Sequence, residues 1–420
     1  MNGIRGSRTS PRKREVGELL LGLGQARSLL IASPHGGVFV IHRSIGRVGS
    51  ESPSIGRSHF TEGAEGYSEI GGHLAGNDLV FGRLAQRKVG RSMRHHFGDF
   101  LDRDGGYWSM TPNAERYRQG IDEAPAGSED VVVATIGKET EDWRRVFSFP
   151  NLEELTLHEP TTDQLSSVGE LGGLKRLRLT HVRPKTIDAL SGLGELEELV
   201  LEYVSGFNDL SPLRGLPKLR AIHIENLRRV SDFSGLSGLK ELRLLSVCGT
   251  LDWKQPIDDF EFLRGLPALE VLSLWQMKCR APYPALLPAL TLRRLKEISV
   301  HGSYLPVEEC ALLEEGLDGI EGADWGPYHT MAYSYIELPG SDPRSEMSDD
   351  DLRRSHPEVT IDFEGKRTIA NPEDHWFVFT GTGSGRVKCG SPKAEARCRE
   401  FAEKYRALRQ RARDVISSGA

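Results

Sequence analysis

The chain has 420 residues, 38% hydrophobic and 27% charged, with a formal net charge of -6 at pH 7. That balance is ordinary for a globular protein and argues against a nucleic-acid partner, because phosphate binding needs a concentrated Lys/Arg surface. A length of this size fits two or three domains or one elongated repeat architecture.

In residues 1–92, Gly, Ser and Arg recur without helical or alternating periodicity, and Lys is almost absent. Two readings stand. Such a segment buries too little apolar surface to offset its ordering entropy and stays disordered; or it is a non-native extension translated from too early a start codon, with Met93 in "SMRHHFGDFLDRDGGYW" as the functional start. The apolar stretch "ELLLGLGQARSLLIA" follows basic residues as an export signal does, but Glu15 and Glu18 mark its start and Arg27 interrupts it. It is far shorter than the roughly 20 apolar residues of a membrane span. A cytoplasmic location without membrane contact is the expectation.

Residues 93–150 read as an N-terminal cap. "DVVVATIG" predicts a strand, and "ETEDWRRVFSF" a short helix with Trp143, Val146 and Phe147 turned inward.

Residues 151–325 are self-similar. "LEELTL" begins at Leu152, "LKRLRL" at Leu174, "LEELVL" at Leu196, "LRAIHI" at Leu219, "LKELRL" at Leu239, "LEVLSL" at Leu269 and "LKEISV" at Leu295. A degenerate eighth copy is expected from Leu317 with Ile320. The insertion "CGTLDWKQPIDDFEF" stretches the interval before the sixth copy. Each copy follows a second apolar set with period near three, such as Leu210, Leu213 and Leu216, or Val230, Phe233 and Leu236. One unit therefore supplies a short strand and a return segment, each with an apolar edge that only stacking can bury.

The pattern L-x-x-L-x-L resembles the leucine-rich repeat superfamily, and "DLSPLRGLPKLRAIHI" is similar to the short repeats of bacterial internalin-like proteins. The resemblance implies an α/β fold, a solenoid with a curved parallel sheet on its concave side and a protein partner held there. One departure matters. The family places Asn or Cys three residues after the last strand leucine, where this chain has Pro160, Val182, Val204, Leu227, Val247, Met277 and Ser303. The convex turns must satisfy their backbone in another way, and an irregular solenoid is expected.

Side chains alternate along a strand, so inward leucines leave the intervening residues on the concave face. That assigns Glu154, Thr156 and His158; Arg176, Arg178 and Thr180; Glu198, Val200 and Glu202; Ala221, His223 and Glu225; Glu241, Arg243 and Leu245; Val271, Ser273 and Trp275; and Glu297, Ser299 and His301. Of these, Glu154, Thr156, His158, Arg176, Arg178, Thr180, Glu198, Glu202, His223, Glu225, Arg243, Trp275 and His301 are the candidate partner-binding residues. The Glu/Arg lattice of the early copies reads equally as a solvated face held by cross-strand pairs. Trp275 reads either as an interface anchor or as packing under the insertion that carries Trp253. His158, His223 and His301 lie in non-adjacent copies, more than about 9 Å apart, so no single ion bridges them. The five cysteines include no C-x-x-C pair, which suits buried thiols in a reducing compartment and excludes a zinc site of recognisable spacing.

Residues 326–350, with "LPGSDPRSEMSDDD", read as a polar linker, and 351–420 as a small α/β module. Within the module, "FTGTGSGRVKC" resembles a kinase phosphate loop, but one residue is missing from the turn and no lysine strand, H-R-D or D-F-G follows. The predicted structure is a hairpin of "HWFVF" and "GRVKC" whose glycines supply positive φ. Ser391 and Pro392 predict a helix start. Cys398, Phe401, Tyr405, Leu408 and Ala412 then form one apolar stripe. The module is expected to shield the end of the repeat core or to act as a second binding unit.

The functional expectation is a non-enzymatic scaffold without cofactor or metal. The alternatives are an enzyme or effector with activity in the C-terminal module, where Glu373, Asp374, His375 and Cys389 are the available groups, and a surface adhesin.

Overall fold

A computed structural model describes residues 29–32, 38–41, 121, 124–250, 252–361 and 365–418. Most of residues 1–92, and Met93 with its surroundings, lie outside the described residues. Within that stretch, strands β1 (Leu29–Ala32) and β2 (Val38–Ile41) pair antiparallel.

Eight parallel strands form the main sheet: β3 (Val133–Gly137), β4 (Glu154–His158), β5 (Arg176–Thr180), β6 (Glu198–Glu202), β7 (Ala221–Glu225), β8 (Leu244–Cys248), β10 (Val271–Trp275) and β12 (Glu297–Val300). Neighbours in sequence are neighbours in the sheet. The insertion adds β9 (Gln255–Ile257), which pairs in parallel with β11 (Met277–Cys279) as a separate ribbon. Short 3-10 turns, such as Ser211–Gly215 and Glu261–Gly265, return the chain on the opposite side. Leucines from strands and turns merge into one continuous apolar cluster running from Ile121 to Ala323. This is a leucine-rich repeat solenoid; it opens with the expected strand β3, while the short helix expected after it is a single 3-10 stretch, Trp143–Ser148.

The fifth copy folds in a different frame from the one read at Leu239. The stretch "LKELRLLSV" contains two overlapping L-x-x-L patterns, and pairing of Ala221 with Leu244 selects the one that begins at Leu242, 23 residues after Leu219. Spacing decides between the frames, because each strand must stay level with its neighbour for the ladder to close.

The convex turns satisfy their backbone without an asparagine ladder. At the exit of successive strands Glu159, His181, Tyr203, Asn226 and Gln276 adopt φ between 45° and 58°. That left-handed conformation turns the amide toward the next strand: Glu159 N–H donates to Thr180 O at 2.9 Å, His181 to Glu202 O at 3.0 Å and Tyr203 to Glu225 O at 2.9 Å. Val204, Leu227 and Met277, at the positions where the family has Asn, are buried in the core instead. Two glutamines supply amides where the turns are irregular. Gln164, in helix α1 (Thr162–Ser167), donates to Gly137 O at 2.9 Å. Gln255 accepts from Leu227 N–H at 3.0 Å and donates to Val230 O at 2.8 Å.

The C-terminal end of the core is covered by helix α2 (Val307–Gly316), whose Cys310 and Leu313 join the main cluster. Its buried Glu309 accepts from the amides of Ala285 and Leu286 at 2.7 and 3.1 Å, tying the helix to the last repeat.

Residues 326–350, expected as a linker, contain strands β13 (Tyr328–Ala332) and β14 (Tyr335–Glu337). Residues 333–369 belong to a different compact unit from the solenoid. That unit has helix α3 (Asp349–Ser355) and a sheet of β14, β15 (Thr360–Ile361) and β16 (Arg367–Ala370) around Leu338, Leu352 and Val359. Arg344 braces it through Asp342 and Glu358 at 2.7 and 2.8 Å.

The chain after residue 369 returns to the solenoid unit. Strand β17 (His375–Phe379) pairs with β13 on one side and with β18 (Arg386–Lys388) on the other. The glycine stretch is the expected hairpin: Gly381, Gly383 and Gly385 have φ of 100°, 76° and 83°. Its tip docks on the segment before α2, with Thr382 N–H donating to Leu305 O at 2.7 Å. Helix α4 (Ala394–Ser417) starts two residues later than Ser391–Pro392 suggested, because those residues form a separate turn in which Ala394 N–H bonds Ser391 O. Its apolar stripe packs on α2 and the hairpin, with Phe401 stacked on Phe379 at 4.8 Å and Tyr405 donating to Glu314 at 2.7 Å.

Candidate partner-binding face

Strand alternation sets three rows of side chains across the outer face of the sheet. The first runs Glu154, Arg176, Glu198, Ala221, Leu244, Val271, Glu297; the second Thr156, Arg178, Val200, His223, Ser246, Ser273, Ser299; the third His158, Thr180, Glu202, Glu225, Cys248, Trp275. All the candidate residues except Arg243 fall on these rows or, for His301, directly after β12. Arg243 is corrected: it precedes β8 and bonds Glu270 at 2.8 Å along the strand entries, because of the frame change. Leu245 turns into the core for the same reason.

The face is graded. Over β4–β6 it is ionic and buried: Glu154, Thr156, Arg176, Arg178, Thr180, Glu198 and Glu202 all lack appreciable exposure. Arg176 faces Glu198 at 3.4 Å, and Arg178 places both Nε and Nη2 on Glu202 Oε2, at 2.9 and 2.5 Å. The cross-strand pairs expected of this lattice are present, but they are buried and not solvated. Buried charges of this kind persist only when paired, and the pairing fixes neighbouring strands against one another. Next comes an apolar patch of Val200, Ala221, Leu244 and Val271, separate from the main core. Sequence reading missed it as a patch, since the misplaced frame hid Leu244.

Beyond the patch the face is half-buried and aromatic. Trp275, His301 and Tyr304 form a triangle of rings, with Trp275 6.4 and 6.3 Å from the other two and those two 5.5 Å apart, and the indole N–H donates to Ser299 Oγ at 3.3 Å. His329 of β13 sits edge-on to His301 at 6.2 Å, and Lys254 lies 5.8 Å from the Tyr304 ring centroid. Burial lowers the pKa of both histidines and pushes Tyr304 up to about 12. Tyr304 and His329 carry no repeat signal in the sequence: Tyr304 closes the 3-10 turn Gly302–Tyr304 directly after β12, and His329 comes from β13.

The three histidines His158, His223 and His301 have separate partners. His158 bonds Thr180 Oγ1 at 2.7 Å, His223 bonds Ser246 Oγ at 3.0 Å and His301 bonds Ser303 Oγ at 2.7 Å. Glu202, His223 and Glu225 do converge, each offering a ligand atom within 4.8 Å of the others. Along the rim His158 meets His181 edge-on at 5.5 Å, and His181 stacks on Tyr203 at 4.8 Å with ring planes 6° apart.

Of the groups available to the C-terminal alternative, Asp374 accepts from the Trp376 indole at 2.8 Å and His375 opens strand β17. The cysteines are free thiols; burial raises Cys248, on the outer face, to about 12, and Cys279 and Cys389 are half-buried. Among the described residues, no helix is long and apolar enough to cross a membrane.

No protein-family model matches the chain, and no curated protein matches it. Solved structures do. The chain is similar to internalin C2 of Listeria monocytogenes, with 24% identity over 41% of this chain and 69% of that one, at a TM-score of 0.31. It is similar to the internalin InlF of the same organism, with 19% identity over 43% of this chain and 62% of that one, at a TM-score of 0.29. The leucine-rich repeat protein LIC12759 of Leptospira interrogans gives 16% identity over 44% and 58%, at a TM-score of 0.27. The chain thus spans about three fifths to two thirds of the length of these proteins.

Proposed function

We propose that this chain is a bacterial, cytoplasmic, non-enzymatic scaffold that holds a protein partner on the concave side of its sheet. The observation that carries the reading is the half-buried group of Trp275, His301 and Tyr304 on the outer face of the last strands. Aromatic side chains that keep one face accessible and a polar tip engaged are the commonest interface anchors, because they bury large area at small entropic cost. Contact spreads from this end toward the serines Ser246, Ser273 and Ser299. The ionic rows of β4–β6 set the spacing of the strands beneath it.

The experiment is affinity capture from the native cell with quantitative mass spectrometry, comparing the natural chain with Trp275→Ala and with His301→Ala. A partner retained by the natural chain and lost from both variants, with their thermal melts unchanged, supports the site. Equal capture by all three chains overturns it.

A further inference from the structure

We propose that Glu202, His223 and Glu225 bind a divalent transition-metal ion, with zinc as the best match. Register sets Glu202 of β6 directly opposite Glu225 of β7, and His223 lies two positions earlier on β7, on the same face. Their donor atoms all lie within 4.8 Å of one another. Donors held by zinc at about 2.0–2.2 Å stand about 3.4 Å apart in a tetrahedral shell, so small side-chain rotations close the set around one ion.

Three features of the surroundings prepare these groups as ligands. First, His223 Nδ1 is engaged by Ser246 Oγ at 3.0 Å, and Nε2 faces Glu225 Oε2 at 3.8 Å. With Nδ1–H donating to the serine, Nε2 presents its lone pair to the cluster, as a metal-bound imidazole requires. Second, carboxylates directly opposite one another on adjacent strands repel, and a cation between them removes the cost. Arg178 donates to Glu202 Oε2 from both Nε and Nη2, so the guanidinium offsets only one of the two facing carboxylates. Third, the Tyr203 amide donates to Glu225 O at 2.9 Å and fixes the backbone that carries this carboxylate. One imidazole with two carboxylates suits zinc or manganese, whereas calcium and magnesium select oxygen donors throughout. Three protein ligands leave one coordination position open. The neighbouring donor that must be distinguished is Cys248, opposite Glu225 on β8.

The test uses the full chain, with zinc titrated in competition with a chromophoric chelator and cobalt as a spectroscopic stand-in. Expected is one ion with micromolar or tighter affinity. His223→Ala and Glu225→Gln weaken it at least about tenfold, Ser246→Ala weakens it about tenfold, and His301→Ala leaves it unchanged. Cobalt gives visible d–d bands without thiolate charge transfer. Circular dichroism establishes that each variant is folded, and near-isosteric Glu225→Gln keeps the test decisive if His223→Ala unfolds. Affinity unchanged in Glu225→Gln, a thiolate band, or no binding tighter than millimolar overturns the proposal.

Discussion

At the scale of single residues, the sheet's outer face is governed by what burial does to charge. Arg178 and Glu202 are 2% and 6% exposed, so each is tolerable only because the other is there. Arg178→Met, which leaves Glu202 buried without that guanidinium, is expected to cost about 3–5 kcal/mol, and adding Glu202→Leu to recover most of it; urea denaturation of the single and double variants measures both. Glu297 shows the opposite arrangement. Burial, with a smaller contribution from the charge of Glu321, pushes its carboxyl up to about 7. Between the ordinary value of about 4.5 and about 7 the folded chain holds a proton that the unfolded chain has released. Stability therefore falls as pH rises through that window. Glu297→Gln is expected to flatten this part of the stability profile, read from thermal melts between pH 4.5 and 8. Gly381 combines φ of 100° with a hydrogen where a Cβ would stand 2.6 Å from Val307 Cβ and 2.7 Å from its backbone nitrogen. Gly381→Ala should cost about 2–3 kcal/mol and loosen the hairpin tip, seen as faster amide exchange at Thr382.

At the scale of elements, the sequence was most legible where one period repeated. The leucine spacing fixed strands, turns and a continuous core, because a unit of strand plus return segment has no other way to bury two apolar edges. The same signal failed at Leu239, where two overlapping patterns compete locally and only pairing with Ala221 resolves them. It also could not show the left-handed strand exits: Glu159, His181 and Tyr203 are unlike one another and share a conformation, not a residue type. Of the candidate face, alternation located the rows, but burial of the early rows depends on surroundings that no single strand encodes. Tyr304 reaches Trp275 from the turn after β12, and His329 reaches His301 from β13, neither marked by the repeat. The stripe of α4 was readable, and its role is packing: Phe401→Ala removes a ring stacked on Phe379 and is expected to cost about 2–3 kcal/mol. Urea denaturation checks the value.

At the scale of the molecule, the solenoid core needs an end, and α2 with the hairpin and α4 behind it supplies one. Glu314 and Glu315 of α2 receive Tyr405, Arg409 and Arg413 from α4, so the two helices are stitched by polar contacts outside their apolar seam. A chain ending after Val300 keeps every repeat strand but loses this cover. It is expected to expose β12 as an open edge and to form higher oligomers, detected by size-exclusion chromatography with light scattering. The strand exits carry a different consequence. Their bridging bonds are made by main-chain amides whatever side chain is attached, so the pitch of the spine places little demand on Glu159, His181 or Tyr203 beyond tolerance of one unusual torsion. These positions form a margin along which surface chemistry can be rewritten letter by letter while the architecture beneath stays the same.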